Sequence, residues 1–190
     1  MQTIKFFIRI LSMEHYNLNF FGLKRKLPIV SLTPNIKIAS VSFLGDVELT
    51  QKAAEKLADK LEDFDFDYLV GPEVKVVPLL FALSILLKKE RFVVCRKSIK
   101  GYMVSPKVLN ISNDPRINKL VLDGVDAQLI KGKKVAIVDD VVSSGATIVN
   151  LKKLLGEAGA KIVLTATVFK QGKLYQDKLL YLFSLPVFNR

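Results

Sequence analysis

The chain has 190 residues, of which half are hydrophobic and a quarter are charged, and it contains one cysteine. This composition predicts a globular protein of one domain, or of one domain with a small appendage, with a buried core. It excludes an intrinsically disordered chain or a disulfide-stabilised secreted scaffold. The formal net charge of +11 is compatible with a nucleic-acid partner, with a polyanionic small molecule, or with the lysine enrichment of heat-adapted proteins.

The sequence also argues against a membrane protein. Its longest apolar run, at residues 76–87, falls well short of the ~20 residues that a membrane-spanning helix needs. Cys95 lies in the apolar run "FVVC" and has no partner for an internal disulfide, which predicts a packed thiol and a reducing, cytoplasmic location. Residues 1–12 lack the small-residue cleavage site of a signal peptide. Because Met13 offers a second start, we expect them to be either a peripheral extension or a segment that is not part of the native protein.

From residue 46 onward, segments with helical and with strand periodicity alternate along the chain. Asp46 can cap a helix in which Ala53, Leu57 and Leu61 repeat at helical spacing. The alternation predicts an α/β fold, with a parallel doubly wound sheet and helices on both faces. Helices are predicted at residues 46–63, 77–87 and 147–158, and strands at residues 67–70, 91–97, 134–139, 161–169 and 179–188.

Two segments do not follow this alternation. Residues 1–45 predict an N-terminal extension and a small flap or hood, distinct from a core at residues 46–190. Residues 98–130 form a long excursion between two core strands and include Gly101, Pro106 and Pro115. Because such insertions are usually functional or mobile, we expect a flexible loop at about residues 98–130.

The stretch "VAIVDDVVSSGAT" at residues 135–147 carries the most specific signal. Asp139 and Asp140 come at the end of an apolar strand, and ligands of such sheets bind beyond the carboxyl ends of the strands. Carboxylates can accept hydrogen bonds from the vicinal hydroxyls of a sugar, whereas a loop of small residues at a helix N-terminus can bind a phosphate. The stretch therefore predicts a ribose 5-phosphate site, against the simpler interpretation of a polar strand end and an ordinary helix cap. The predicted phosphate loop contains Ser143, Ser144, Gly145, Ala146 and Thr147.

This stretch resembles the 5-phosphoribosyl 1-pyrophosphate (PRPP) motif of the type I phosphoribosyltransferases. Residues 20–49, the segment "VVCRKSIKGYM" at residues 93–103 and the segment "ATVFKQG" at residues 166–172 resemble the adenine and xanthine group of that family. The similar segments span most of residues 20–188 in the order of the family.

The resemblance implies a transferase that joins a purine-like base to PRPP with Mg²⁺ and releases pyrophosphate. It further implies a homodimer and closure of residues 98–115 over the site. Asp139 and Asp140 are implied as the catalytic and metal-binding acids. Residues implied in binding pyrophosphate are Glu73, Val74, Lys75, Arg96, Lys97 and Lys100, and those implied in binding the base from the hood are Ile29 and Val30.

Two segments depart from the adenine enzymes. Their Glu-Ala-Arg-Gly loop is replaced by residues 73–76, "EVKV", in which Lys75 lacks the bidentate fork of arginine and Val76 cannot readily adopt glycine backbone angles. Ile29 and Val30 replace an aromatic side chain that stacks on adenine, so the sequence does not indicate which base is used.

Two functions are therefore predicted: a purine-type phosphoribosyltransferase, or a non-catalytic PRPP- or nucleotide-binding regulator of transcription or RNA on the same fold. A nucleic-acid partner is expected only for the regulator.

Overall fold

A computed structural model describes residues 14–111 and 118–189. Its central feature is a five-stranded sheet in which every neighbouring pair of strands is parallel, in the order β10-β9-β8-β4-β5. The predicted parallel α/β sheet is therefore confirmed. Its strands are β4 (Tyr68–Pro72), β5 (Phe92–Cys95), β8 (Lys134–Val142), β9 (Lys161–Gln171) and β10 (Leu180–Leu185).

The order of the strands creates a switch point between β4 and β8. The chain runs from β4 outward to β5 on one side, and later from β8 outward to β9 and β10 on the other. Connections leave β4 and β8 in opposite directions, so a crevice opens beyond their carboxyl ends, where ligands of open α/β sheets bind. Gly71 in β4 permits this close pairing, because a side chain there would meet the Val138 carbonyl of β8 at 2.6 Å.

Helices cover both faces of the sheet and bury two separate hydrophobic clusters. Successive side chains of β8 point to opposite faces of the sheet, so that Ala136 and Val138 belong to one cluster and Val135 and Ile137 to the other. The first face is covered by α1 (Val47–Leu61) and α2 (Val77–Leu86), and the second by α3 (Gly124–Ile130) and α4 (Ala146–Glu157). Asp46 caps α1 as predicted, by accepting a hydrogen bond from the Leu49 amide at 3.0 Å. None of the helices in the described ranges is long and apolar enough to cross a membrane.

The hood is an antiparallel sheet with the order β1-β2-β3-β11. Its Leu18 and Phe20 are buried in the same cluster as α1 and β9, so the hood packs onto the core. The predicted strand at 179–188 is divided at Pro186, which has no amide hydrogen to continue the β10 ladder, and its last residues join the hood. The hood strands are β1 (His15–Phe20), β2 (Leu23–Thr33), β3 (Ile36–Ala39) and β11 (Val187–Asn189).

The excursion at residues 98–130 contains regular structure at its carboxyl end. Strand β6 (Lys107–Asn110) pairs with β7 (Lys119–Leu122), and α3 follows. Helix α3 was not predicted, because its seven residues are too few for a clear helical period. Leu120 and Leu122 are buried, which fixes this part of the excursion to the core.

Candidate active site

Asp139 and Asp140 lie within β8, beside the switch point. The strand was predicted to end at residue 139, but its pairing with β9 continues to Val142, so the two acids belong to the sheet itself. Their exposed fractions are only 7% and 8%. The Asp139 carboxylate accepts a hydrogen bond from the Asp140 amide at 2.9 Å, which fixes its orientation.

The environment of Asp139 disfavours its charged form. Burial raises the pKa of its carboxyl well above the usual value, and the neighbouring charge of Asp140 raises that pKa further. Lys97 opposes the shift because its positive charge lowers the same pKa. Hydroxyl donors or a cation brought close to these acids would relieve the unfavourable burial of negative charge.

A cavity of about 300 Å³ opens at this end of the sheet. Asp139 and Lys97 lie on its wall, together with residues 141–148, so the entire predicted phosphate loop lines it. Asp140 is buried but does not line this cavity. Asp139, Lys97 and the small-residue loop thus line one cavity, whereas Asp140, which was also predicted at the site, is not among its lining residues.

The loop at residues 143–147 leads directly into α4, and backbone amides at the start of this helix are available to bind a ligand. Gly145 has φ 79°, a left-handed conformation that disfavours other residues, and no side chain caps the helix. Ser144 Oγ reaches the Ala146 amide only at 3.4 Å. The first turn of α4 therefore presents amide hydrogens and the positive end of the helix dipole to an anion in the cavity.

Tyr175 packs against this loop at Gly145 and does not line the cavity. It was not among the predicted site residues. Its ring lies so close to Gly145 that a side chain at that position would come within 1.9 Å of the ring. The exposed fraction of Tyr175 is 4%, although it lies in the polar segment between β9 and β10. An aromatic residue inside the polar run "GKLYQDK" is the only sequence signal that could have indicated it.

Glu73, Arg96 and Lys97 come together across the ends of β4 and β5. Glu73 Oε2 lies 2.7 Å from Arg96 Nε, and the second carboxylate oxygen accepts a hydrogen bond from the Lys97 amide. The Glu73 amide in turn donates to the Cys95 carbonyl at 2.8 Å, and the Glu73–Val74 peptide bond is cis. Three residues of the predicted pyrophosphate site are thus adjacent at the edge of the crevice.

The other residues predicted to bind pyrophosphate, Val74, Lys75 and Lys100, do not line the cavity beside Asp139. Val74 and Lys75 are exposed, and Lys75 Nζ lies 3.5 Å from the Val41 carbonyl, on the segment that joins the hood to α1. Lys100 is half-buried.

Val76 lies at the start of α2 in a conformation that suits valine, and it does not need the backbone angles that only glycine adopts readily. Its backbone angles, φ −81° and ψ −14°, are ordinary right-handed values. The side chain has an exposed fraction of 1% and packs in the core next to Gly71. Valine at this position therefore anchors the start of α2 in the core.

Ile29 and Val30, the predicted base-binding residues, are half-buried in β2 of the hood. Ile29 pairs with Ala39 of β3, and the Ala39 carbonyl accepts a hydrogen bond at 3.0 Å from the side-chain amide of Gln171. Gln171 is buried at the carboxyl end of β9. This bond holds the hood beside the end of the sheet where the cavity opens.

Asp139 and Asp140 supply only some of the ligands that a metal ion needs. In the part of the chain that the structure describes, no three His, Cys, Asp or Glu side chains converge as a metal cluster. Asp139 and Asp140 nevertheless offer hard oxygen ligands, and Mg²⁺ is commonly held by one or two carboxylates with phosphate oxygens of the substrate. The donor set therefore fits a Mg²⁺ ion that arrives with a phosphorylated substrate.

The fold and the cavity define an α/β protein in which a loop of small residues at a helix N-terminus lines a cavity at the carboxyl ends of the sheet strands. The sequence profile of the phosphoribosyl transferase domain matches residues 45–186, and the chain belongs to this family.

Named relatives agree with this assignment. The adenine phosphoribosyltransferase of Petrotoga mobilis is 36% identical over 122 residues, which cover 64% of this chain and 68% of the relative. The crystal structure of adenine phosphoribosyltransferase from Thermoanaerobacter pseudethanolicus has a TM-score of 0.64 and 21% identity, and covers 94% of this chain and 99% of its own. The Trypanosoma brucei adenine enzyme, in complex with AMP, pyrophosphate and ribose-5-phosphate, has a TM-score of 0.63 and 13% identity, with coverage of 90% and 76%.

Proposed function

We propose that this phosphoribosyltransferase transfers the phosphoribosyl group of PRPP to adenine, forming a nucleotide and releasing pyrophosphate. One observation carries the proposal: a buried acid, Asp139, shares a cavity with an uncapped helix N-terminus. The acid suits the hydroxyls of a ribose and the amides suit its 5-phosphate, so the two ends of a phosphoribosyl group have complementary partners.

The acids also suit the reaction at the anomeric carbon. When the bond to pyrophosphate breaks before the bond to the base is complete, the sugar acquires oxocarbenium character, as in glycoside hydrolysis. Asp139 and Asp140 would hold the ribose hydroxyls and place negative charge beside the developing cation. Binding of the hydroxyls would also compensate the burial of Asp139 described above.

The leaving pyrophosphate requires positive charge at the opposite side of the site. Arg96 and Lys97, directly after β5, are suited to this role, since Lys97 lines the cavity and Arg96 precedes it in the chain with its guanidinium paired to Glu73. Mg²⁺, when bound with PRPP, would neutralise charge on the pyrophosphate oxygens. Lys75 and Lys100 would add charge from the loop at the start of α2 and from the excursion.

Adenine is proposed as the base because the named relatives are adenine enzymes. Ile29 and Val30 would then supply an aliphatic wall from the hood in place of aromatic stacking. The Gln171 bond to Ala39 supports this role, because it holds the neighbouring strand at the carboxyl end of the sheet. The regulator alternative receives no support from the relatives, which carry the names of enzymes.

A direct assay tests the function. The protein, PRPP and Mg²⁺ are incubated separately with adenine, hypoxanthine, guanine and xanthine, and pyrophosphate release and nucleotide formation are measured. We expect stoichiometric AMP and pyrophosphate with adenine and little turnover with 6-oxopurines. Turnover with a 6-oxopurine alone would overturn the choice of base. PRPP binding without turnover of any base would favour the regulator.

We also propose a cytoplasmic homodimer. The outer face of α2 leaves large apolar side chains uncovered, with exposed fractions of 59% for Phe81, 62% for Ile85 and 45% for Leu86. A contiguous apolar helix face of this kind suits a contact between two copies. Light scattering should give the mass of a dimer for the native chain and of a monomer for Ile85→Glu. A monomeric native chain would contradict the proposal.

The cytoplasmic location is supported by the buried, unpaired thiol of Cys95.

A further inference from the structure

Tyr175 joins the segment after β9 to both the phosphate loop and α4. On one side its ring faces the backbone of Gly145, with a separation so small that only glycine fits there. On the other side its hydroxyl lies 3.2 Å from Lys152 Nζ, in the second turn of α4. The ring is therefore held between the beginning of the helix and a side chain further along the same helix.

Further contacts restrict the movement of Tyr175. Lys152 Nζ lies 3.5 Å from Asp177 Oδ2 and 5.9 Å from the centre of the Tyr175 ring, so its position is set by the segment that carries the tyrosine. Tyr175 also belongs to the hydrophobic cluster that includes Val142 and Ile148, the residues on either side of the phosphate loop. The ring is thus fixed by packing as well as by its hydroxyl.

We propose that Tyr175 is a positioning residue for the 5-phosphate, acting through Gly145 and without touching the substrate. The proposal rests on the proposed function of the loop at residues 143–147. Gly145 turns the chain into α4 through a left-handed conformation, and this turn determines where the following amides point. Glycine alone can occupy several backbone regions at little cost, so something outside the loop must select one of them. The ring of Tyr175 fills the space into which the turn would relax.

A fixed turn matters for affinity because donors that already point at the phosphate need no ordering when it binds. Loss of the ring should therefore weaken the contribution of the phosphate specifically, and leave the contribution of the base and ribose. Loss of the hydroxyl alone should matter little, because packing against Gly145 remains. The effect is expected in the dissociation constant of the nucleotide and in the KM for PRPP.

The experiment compares AMP with adenosine, because the ratio of their dissociation constants isolates the phosphate. Calorimetry is done on the native protein and on Tyr175→Phe, Tyr175→Leu and Tyr175→Ala, with folding checked by circular dichroism. Tyr181→Ala is the matched control, since Tyr181 is a 42% exposed tyrosine in the neighbouring strand β10. The leucine variant keeps a buried apolar side chain but lacks the ring that lies against Gly145, and it decides the question if the alanine variant does not fold.

We expect the AMP/adenosine preference to fall at least about tenfold in Tyr175→Leu, as for the loss of one or more charge-assisted hydrogen bonds. Tyr175→Phe and Tyr181→Ala should keep the native preference. A folded Tyr175→Leu with the native preference would overturn the positioning role. A native protein that binds AMP and adenosine equally would instead overturn the proposed function of the loop, so the two failures are distinguishable.

Discussion

Glu73 and Arg96 form an ion pair at the mouth of the crevice, with Glu73 Oε2 2.7 Å from Arg96 Nε. The side chain of Glu73 is 16% exposed and that of Arg96 32%, so the pair is partly shielded from water. The backbone of Arg96 is fixed by two hydrogen bonds with Val121, of 2.7 and 2.8 Å. These contacts fix Arg96 directly before Lys97, which lines the cavity, and a pyrophosphate bound there would compete with Glu73 for the guanidinium.

Arg96→Met should weaken pyrophosphate binding about 10-fold or more, because a charge-assisted hydrogen bond is worth roughly 1.5–3 kcal/mol. Product inhibition by pyrophosphate measures this directly. Arg91→Met is the matched control, since Arg91 lies just before the opposite end of β5 and is 58% exposed. Equal pyrophosphate inhibition constants for the two variants would show that Arg96 does not bind pyrophosphate.

The double change Asp139→Asn and Asp140→Asn should reduce PRPP affinity at least about 100-fold while the fold is retained. Each change removes a charged acceptor of a hydroxyl, and asparagine has nearly the same shape as aspartate. Calorimetry with PRPP and Mg²⁺, together with circular dichroism, checks both parts. An unchanged affinity in the folded double variant would contradict the assignment of the ribose to these acids.

Asp139 should also make the ligand-free protein less stable as the pH rises. Its folded-state pKa lies above 3.8, so between that pH and the raised pKa the folded state binds more protons than the unfolded state. The free energy of unfolding contributed by this group therefore falls through that window as pH increases. Urea denaturation at several pH values should show a flatter decline for Asp139→Asn. The exposed-surface control Asp63→Asn should keep the native pH dependence.

Val76→Gly should lower the free energy of unfolding by roughly 2–4 kcal/mol, because it removes a buried side chain and adds backbone freedom. Val74→Gly is the control in the same loop, since Val74 is 55% exposed, and about 1 kcal/mol or less is expected. Denaturant midpoints give both values. Equal losses would show that the packing of Val76 next to Gly71 contributes nothing.

Local sequence signals predicted the parts of the site that are continuous in sequence. The paired acids, the small-residue loop and the following helix occupy one stretch, and the apolar run before them could only be a buried strand. The structure brings Asp139 and the loop residues to one cavity as predicted. Arg96 and Lys97 were implied by the resemblance to the phosphoribosyltransferases, and in the structure they follow directly after the core strand β5.

Contacts between distant segments could not be predicted in the same way. Tyr175 lies 30 positions from Gly145, and nothing in its polar surroundings indicates a ring packed on that glycine. The burial of Val76 could not be predicted for a related reason, since its core position depends on how α2 packs against β4. Helix α3 was missed because seven residues give too little periodicity, although tertiary packing stabilises it.

The pairing of β11 with β3 has a consequence for the order of folding. Ile36 pairs with Asn189, so this edge of the hood joins residues more than 150 positions apart. Contacts between such distant residues require a large loop to close, and they form readily only after intervening structure has shortened the effective distance. The hairpin of β1 and β2 can assemble from neighbours, whereas completion of the hood should be among the last steps, after the parallel sheet has brought β10 to its edge. A fully formed hood would then report that the rest of the molecule is already native.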